Sequence, residues 1–296
     1  MRPPLDTTLF VTFMAVAETG GFSSAGERLG CVQSNVTARI RRLEDHLGGR
    51  LFERGRNGAA LTAFGRLAHE RVRKALDTLS SLERELIEAS GGSAPLRLGA
   101  METTAAARLP KLMAKLRKQC PDATVTLQTG PTARLLDMVW NRQLDAAFVA
   151  GPIDPDRFHA VSAFNEQLFA FWRTNILSKE TQGHASPLSD TDTLLAFSEG
   201  CSYRASAQAW LREKGHADIK VMEMGSLDAM IGCAAAGMGM VVVPKAAARR
   251  IGESKQLAAY ALPAEFGEVT THLVSRHDEK PVRALKILTQ FLSSRV

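Results

Sequence analysis

The stretch Ser34–Leu47, SNVTARIRRLEDHL, constrains the chain most. Val36, Ile40, Leu43 and Leu47 recur at steps of four, three and four, which places them in one apolar stripe on a helix. At roughly 100° per residue, Ser34, Ala38, Arg41 and Arg42 point away from that stripe. Asn35 and Thr37 flank it, and Arg39 lies nearer the core edge. Small residues let a helix approach base edges, and guanidinium groups grip phosphate or guanine with a planar fork. A basic face turned only to solvent fits the same residues, so the neighbouring stretches decide.

Upstream, Ser23–Leu29 reads as a short helix with Ser24 and Glu27 spaced as a capping box. Gly30 ends it, and the next helix begins a few residues later, the spacing of a helix-turn-helix. Asp6 is placed to cap an earlier helix over Thr7–Glu18. Downstream, Leu51–Arg54 and Ala60–Thr62 pair as short strands around Gly55-Arg56-Asn57-Gly58. The result is a winged helix-turn-helix with Arg54 and Arg56 beside the groove. Charge agrees. Between Arg28 and Lys74, eleven Lys or Arg stand against four acids, within a chain of formal net charge +6.

The run from Phe22 to Gly65 resembles the N-terminal domain of LysR-type transcriptional regulators. It does so through Val16-Ala17-Glu18 just before it, Ala25 and Leu29, Gln33-Ser34, Ile40-Arg41-Arg42-Leu43-Glu44, Leu51-Phe52-Glu53-Arg54, and Leu61-Thr62 with Gly65. Gly26, Val32 and Ala38 depart from the pattern, where alanine, a capping Ser or Thr, and arginine are usual. The resemblance implies double-stranded DNA as partner, with contacts from Ser23, Gln33, Ser34, Asn35, Thr37, Arg39, Arg41, Arg42, Arg54 and Arg56. Ala38 leaves more of that work to Arg39, Arg41 and Arg42.

Length, 296 residues, suggests about two domains with ample core. The N-terminus lacks a secretory pattern, no uncharged run approaches the ~20 residues of a bilayer span, and Cys31, Cys120, Cys201 and Cys233 are scattered. A cytoplasmic protein is expected, with no membrane partner. Thr62 is placed to cap a helix over Ala63–Ala89, in which Val72, Ala75, Leu79, Leu82 and Leu86 form a short heptad seam. The seam fits a dimer contact or packing on its own domain, and the resemblance implies the dimer and a tetramer of two dimers. Ser90–Pro95 reads as a hinge.

From Leu96 the pattern alternates strand and helix, including a helix over Thr104–Gln119 and strands over Leu96–Ala100, Asp145–Ala150 and Leu168–Trp172. Alternation predicts mainly parallel sheet covered by helices. The fold class is therefore α/β with an α-rich N-terminal domain. In order come a winged helix-turn-helix (1–62), a linker and dimerisation helix (63–93), and a two-lobed effector domain built like a type 2 periplasmic binding protein, as the resemblance implies. Its first lobe takes 94–163 with 267–296 and its second 164–266.

Ligands in open α/β sheets bind at the carboxyl ends of strands beside helix N-termini. Four such corners give the expected effector residues Met101, Glu102, Thr103, Thr104, Thr129, Gly130, Thr132, Cys201, Ser202, Tyr203 and Ser226. Thr103, Thr132, Ser202 and Ser226 also fit helix caps. Glu102 repels an acid ligand and favours a cationic or hydroxyl-rich one, unless it pairs with Arg108 or Arg204. Cys201 at a helix start is placed where a thiol pKa can be lowered, and with Cys233 it resembles the redox-sensing branch of the family, but two unreactive cysteines are the favoured reading because sequence does not show that they meet. There is no nucleophile elbow, complete dinucleotide loop or metal-ligand spacing, so neither enzyme activity, metal nor cofactor is expected beyond an unidentified effector. The resemblance implies RNA polymerase as a further partner where the output is activation. An architectural or constitutively repressing DNA binder without a ligand is the alternative.

Overall fold

A computed structural model describes residues 6–55, 58–173, 191–247, 257–278 and 280–293. The chain divides into two compact units, Met1–Leu86 and Ile87–Val296.

In the first unit, α1 (Thr7–Thr19), α2 (Phe22–Leu29) and α3 (Gln33–Leu47) precede a hairpin of β1 (Phe52–Gly55) and β2 (Gly58–Leu61), followed by α4 (Ala63–Ala89). Asp6 caps α1 by accepting from Thr8 N at 2.8 Å. The expected capping box of α2 is absent. The helix begins one residue earlier, at Phe22, its N-cap is Gly21, and Ser24 lies inside the first turn. Gly30 and Gly48 close α2 and α3 in the left-handed conformation. Val36, Ile40 and Leu43 are buried together with Leu9, Phe13, Val16, Leu51 and Phe52, so the predicted stripe forms the core of the unit. Glu44 accepts from Leu51 N at 2.7 Å and fixes the hairpin to the end of α3. Thr62 caps α4 by accepting from Gly65 N at 2.8 Å, while donating to the Arg50 carbonyl at 2.6 Å.

The last residues of α4 belong to the second unit. Glu88 accepts from Ala94 N and from Arg283 N, each at 3.0 Å, which anchors the segment expected to be a hinge. Here β3 (Leu96–Ala100) is parallel to both β4 (Val125–Thr129) and β5 (Ala146–Ala150). The expected helix over Thr104–Gln119 is two helices, α5 (Glu102–Ala107) and α6 (Leu109–Gln119). Pro110 explains the break, since it offers no N–H and its ring clashes with the preceding turn. Next come α7 (Thr132–Trp140) and β6 (Phe158–Arg173), a strand three times the predicted length. The second half holds β7 (Thr193–Ala196), α8 (Ser202–Glu213), β8 (Lys220–Glu223), α9 (Leu227–Ala235) and β9 (Met240–Pro244). β10 (Leu257–Ala261), α10 (Ala264–Gly267), β11 (Glu268–Arg276) and α11 (Arg283–Ser293) complete it.

The sheet is less parallel than expected. β6 pairs antiparallel with β11 along its first part and with β9 and β10 along its second, while β7 is parallel to β8 and β9. The two parallel groups are therefore lobes stitched together by β6. One apolar core lies on the first lobe around Leu98, Leu112 and Leu285, and one on the second around Phe171, Met230 and Val243, while a third, around Trp172, Tyr203 and Trp210, continues to Leu135, Val139 and Val149 of the first lobe. No described helix is long and apolar enough to cross a membrane.

Candidate functional site

In the first unit, burial of Val36, Ile40 and Leu43 orients the rest of α3. Gln33, Ser34, Asn35, Ala38, Arg41 and Arg42 are exposed, Thr37 and Arg39 half-buried, and Ser23 on α2 exposed. Among the described residues, Arg39, Arg41 and Arg42 form no ion pair, whereas Arg28 is held by Glu18 at 2.6 Å. The same arginines are felt by Asp6. Its carboxyl is held below the usual range first by its bonds to Thr8, then by Arg42 and Arg39. Arg54 stands in β1 opposite Ala59, and Arg56 lies outside the described residues. The arrangement presents small polar groups and uncommitted guanidinium groups on one face of one helix, beside a two-stranded wing.

In the second unit, the carboxyl ends of β3, β4, β7 and β8 converge on a cavity of about 130 Å³. Met101, Glu102, Thr103, Thr129, Gly130, Cys201 and Tyr203 line it, as the four corners led one to expect. Four other expected residues do not. Thr132 donates to the Ala150 carbonyl at 3.1 Å, Thr104 is buried, Ser202 lines a neighbouring groove and donates to Met101 Sδ at 3.8 Å, and Ser226 accepts from Ala229 N at 3.5 Å. Ser226 alone among the four proposed caps has that role, because Met101, Pro131 and Cys201 occupy the N-cap positions of α5, α7 and α8. Phe197 and Met224 add apolar wall that no motif announces, since single apolar residues at strand ends carry no period.

Glu102 finds neither suggested arginine. Arg108 is engaged bidentately by Glu166, with both contacts at 2.8 Å, and Arg204 by Glu223 at 3.0 Å and the Phe197 carbonyl at 3.2 Å. Burial pushes the Cys201 thiol up rather than down, the opposite of the expected effect of its helix start, and both Cys201 and Cys233 are free. Burial also pushes the Tyr203 phenol up to about 12. The hydroxyls of Thr271 and Thr103 face it and hold that rise back, yet none of the three closes a hydrogen bond of ordinary geometry. A buried hydroxyl left unpaired costs about 1–3 kcal/mol, so three together mark a place where polar partners are wanted. Among the described residues no cluster of three metal-ligating side chains occurs.

Comparison with known proteins accounts for both halves. Residues 7–66 match the bacterial regulatory helix-turn-helix protein model of the lysR family, and residues 89–296 match the LysR substrate binding domain. The HTH-type transcriptional regulator YusT of Bacillus subtilis is 34% identical over 274 residues, which is 93% of this chain and 90% of that protein. GltR, an HTH-type transcriptional regulator of the same organism, is 33% identical over 276 residues, covering 93% and 91%. Among solved structures, full-length OxyR of Pseudomonas aeruginosa superposes with a TM-score of 0.68 at 22% identity, covering 98% of this chain and 95% of that one. CbnR complexed with its target DNA gives 0.67 at 19%, covering 99% and 100%. These structural likenesses establish the fold. With the two domain models in their expected order and relatives above 30% identity spanning nearly the full length, the chain belongs to the LysR family of DNA-binding transcriptional regulators.

Proposed function

We propose that this regulator responds to a small molecule held between the lobes of its second unit, and that the ligand alters how its first unit grips DNA. The observation that carries the DNA half is the face of α3 bearing Arg41 and Arg42, exposed and without an ion pair among the described residues, above buried Val36, Ile40 and Leu43. Arg41 and Arg42 bind phosphate or base edges there, supported by Arg39, by Ser23, Gln33, Ser34, Asn35 and Thr37, and by Arg54 and Arg56 of the wing. Two copies joined through α4 address a two-fold site, because exposed Leu79, Leu82 and Leu86 seek an apolar partner. Two dimers form a tetramer, and an activating output adds RNA polymerase as a partner. The cavity with its unpaired hydroxyls supports a ligand-responsive protein over an architectural binder, which has no use for it. Ligand coupling of the usual 1–3 kcal/mol is enough to redistribute two DNA-bound states.

The test is titration of the purified chain against duplexes selected from genomic fragments, across a range of salt. Arg41→Ala with Arg42→Ala is expected to weaken binding at least about tenfold and to lower the salt slope by about one for each phosphate no longer neutralised. Unchanged affinity and slope in a folded double variant would show that this face does not meet DNA.

A further inference from the structure

Among the described residues, the cavity wall carries one charged side chain, Glu102, and no lysine or arginine. Two hydroxyls of its lining residues, Thr103 Oγ1 and Tyr203 Oη, are fully buried and face each other without closing a hydrogen bond of ordinary geometry among the described residues. Thr129 and Ser198 add further hydroxyl-bearing residues, and Met101, Cys201, Phe197 and Met224 add sulfur and ring. Arginines that a bound anion would require are already committed, Arg108 to Glu166 and Arg204 to Glu223.

We propose that this cavity takes a compact uncharged ligand, one ring or short branched chain bearing a hydroxyl, with Thr103 and Tyr203 as its hydrogen-bond partners and Glu102 excluding carboxylates. The proposal rests on reading the cavity as the effector site. Size sets the first limit. A space of about 130 Å³ is close to the roughly 150 Å³ cavities that hold a benzene ring. Charge sets the second. The N-termini of α7 and α8 each offer a partial charge of about +0.5. Glu102 opposes them with a full negative charge, and no cation replaces the hydration that a carboxylate loses on entering. A ligand hydroxyl carries no such penalty, and it supplies both the donor and the acceptor that two stranded hydroxyls need. A cationic ligand would satisfy Glu102 and could donate to the oxygens of Thr103 and Tyr203, but an ammonium has no lone pair to accept their protons.

Calorimetric titration of the full chain with benzyl alcohol, benzylamine and benzoate, which share one ring, separates these classes. At neutral pH the alcohol is expected to bind at least about tenfold more tightly than benzoate. Tyr203→Phe, which keeps the ring and removes the hydroxyl, is expected to weaken the alcohol by about tenfold. Glu102→Gln, at a half-buried position, is expected to narrow the gap between alcohol and benzoate to less than about threefold. Preferential binding of benzoate or benzylamine by the wild-type chain would overturn the ligand class while leaving the cavity as the effector site. Binding of none of the three at about 10 mM would overturn both the class and the reading of the cavity.

Discussion

A methyl group added at Gly65, where α4 leaves the wing, would collide with the Leu51 carbonyl oxygen, a backbone atom that cannot swing aside as a flexible side chain can. Gly65→Ala is therefore expected to cost about 2–4 kcal/mol in urea unfolding. Gly232, on the exposed side of α9, has nothing within 4 Å of the same methyl position. Gly232→Ala is expected to stabilise by about 0.5–1 kcal/mol through helix propensity alone. A common sign for the two substitutions would count against this account of both sites. Gly26 shows what a sequence conceals at this scale. Read along the chain it is a poor helix former where alanine is usual. In the fold, Cys31 N donates to the Gly26 carbonyl at 2.9 Å, and a Cβ at Gly26 would lie 2.7 Å from the Cys31 oxygen. Propensity is local, whereas this requirement comes from a turn folding back on its helix. The hydroxyls of Thr103, Tyr203 and Thr271 were equally hidden, being brought together from α5, α8 and β11.

Elements with a strong period were legible. The stripe under α3 and the cap of α4 at Thr62 stand where the spacing puts them, because each depends on residues within a turn or two. The first half of β6 was not legible. His159, Ser162, Asn165, Glu166 and Gln167 make it read as polar loop, and only its pairing with β11 makes it a strand. In the same way, the α5–α6 break follows from Pro110, yet its use is tertiary, since Arg108 at the break reaches Glu166 on β6. α4 combines both kinds of information. Its cap and first turns pack on the first unit, where Val72 is 6% exposed, but Leu79, Leu82 and Leu86 are 42%, 52% and 61% exposed. Apolar residues this open along one seam are expected to be covered by a second copy. Leu79→Lys with Leu82→Lys should shift the sedimenting species to monomer without lowering the helical signal of the monomer. A double variant that still sediments as the wild type would remove α4 from the dimer contact.

At the scale of the whole molecule, among the described residues each unit holds one histidine whose pKa lies below the ordinary value, first because of burial. His69, on α4, sits edge-on to Phe13 with ring centroids 6.2 Å apart, and Arg73 depresses it further against the opposing pull of Glu18. His272, on β11 between β5 and β6, has a buried Nδ1 without a partner among the described residues. In both cases the folded state disfavours the protonated ring, so the unfolded chain binds more protons across the interval between the two pKa values. The stability this contributes is complete above the ordinary histidine value of about 6.5 and is lost as pH falls from there through the depressed folded values. Acidification from neutrality is therefore expected to lower the urea midpoint of both units before the carboxylates begin to titrate. His69→Gln should flatten that pH dependence only in the transition of the first unit, and His272→Gln only in that of the second. The separation is expected because each half-buried ring lies within its own compact unit. If either substitution flattened both transitions equally, the two units would have to unfold as one cooperative body. If neither did, the acid sensitivity would have to arise from groups other than these two rings.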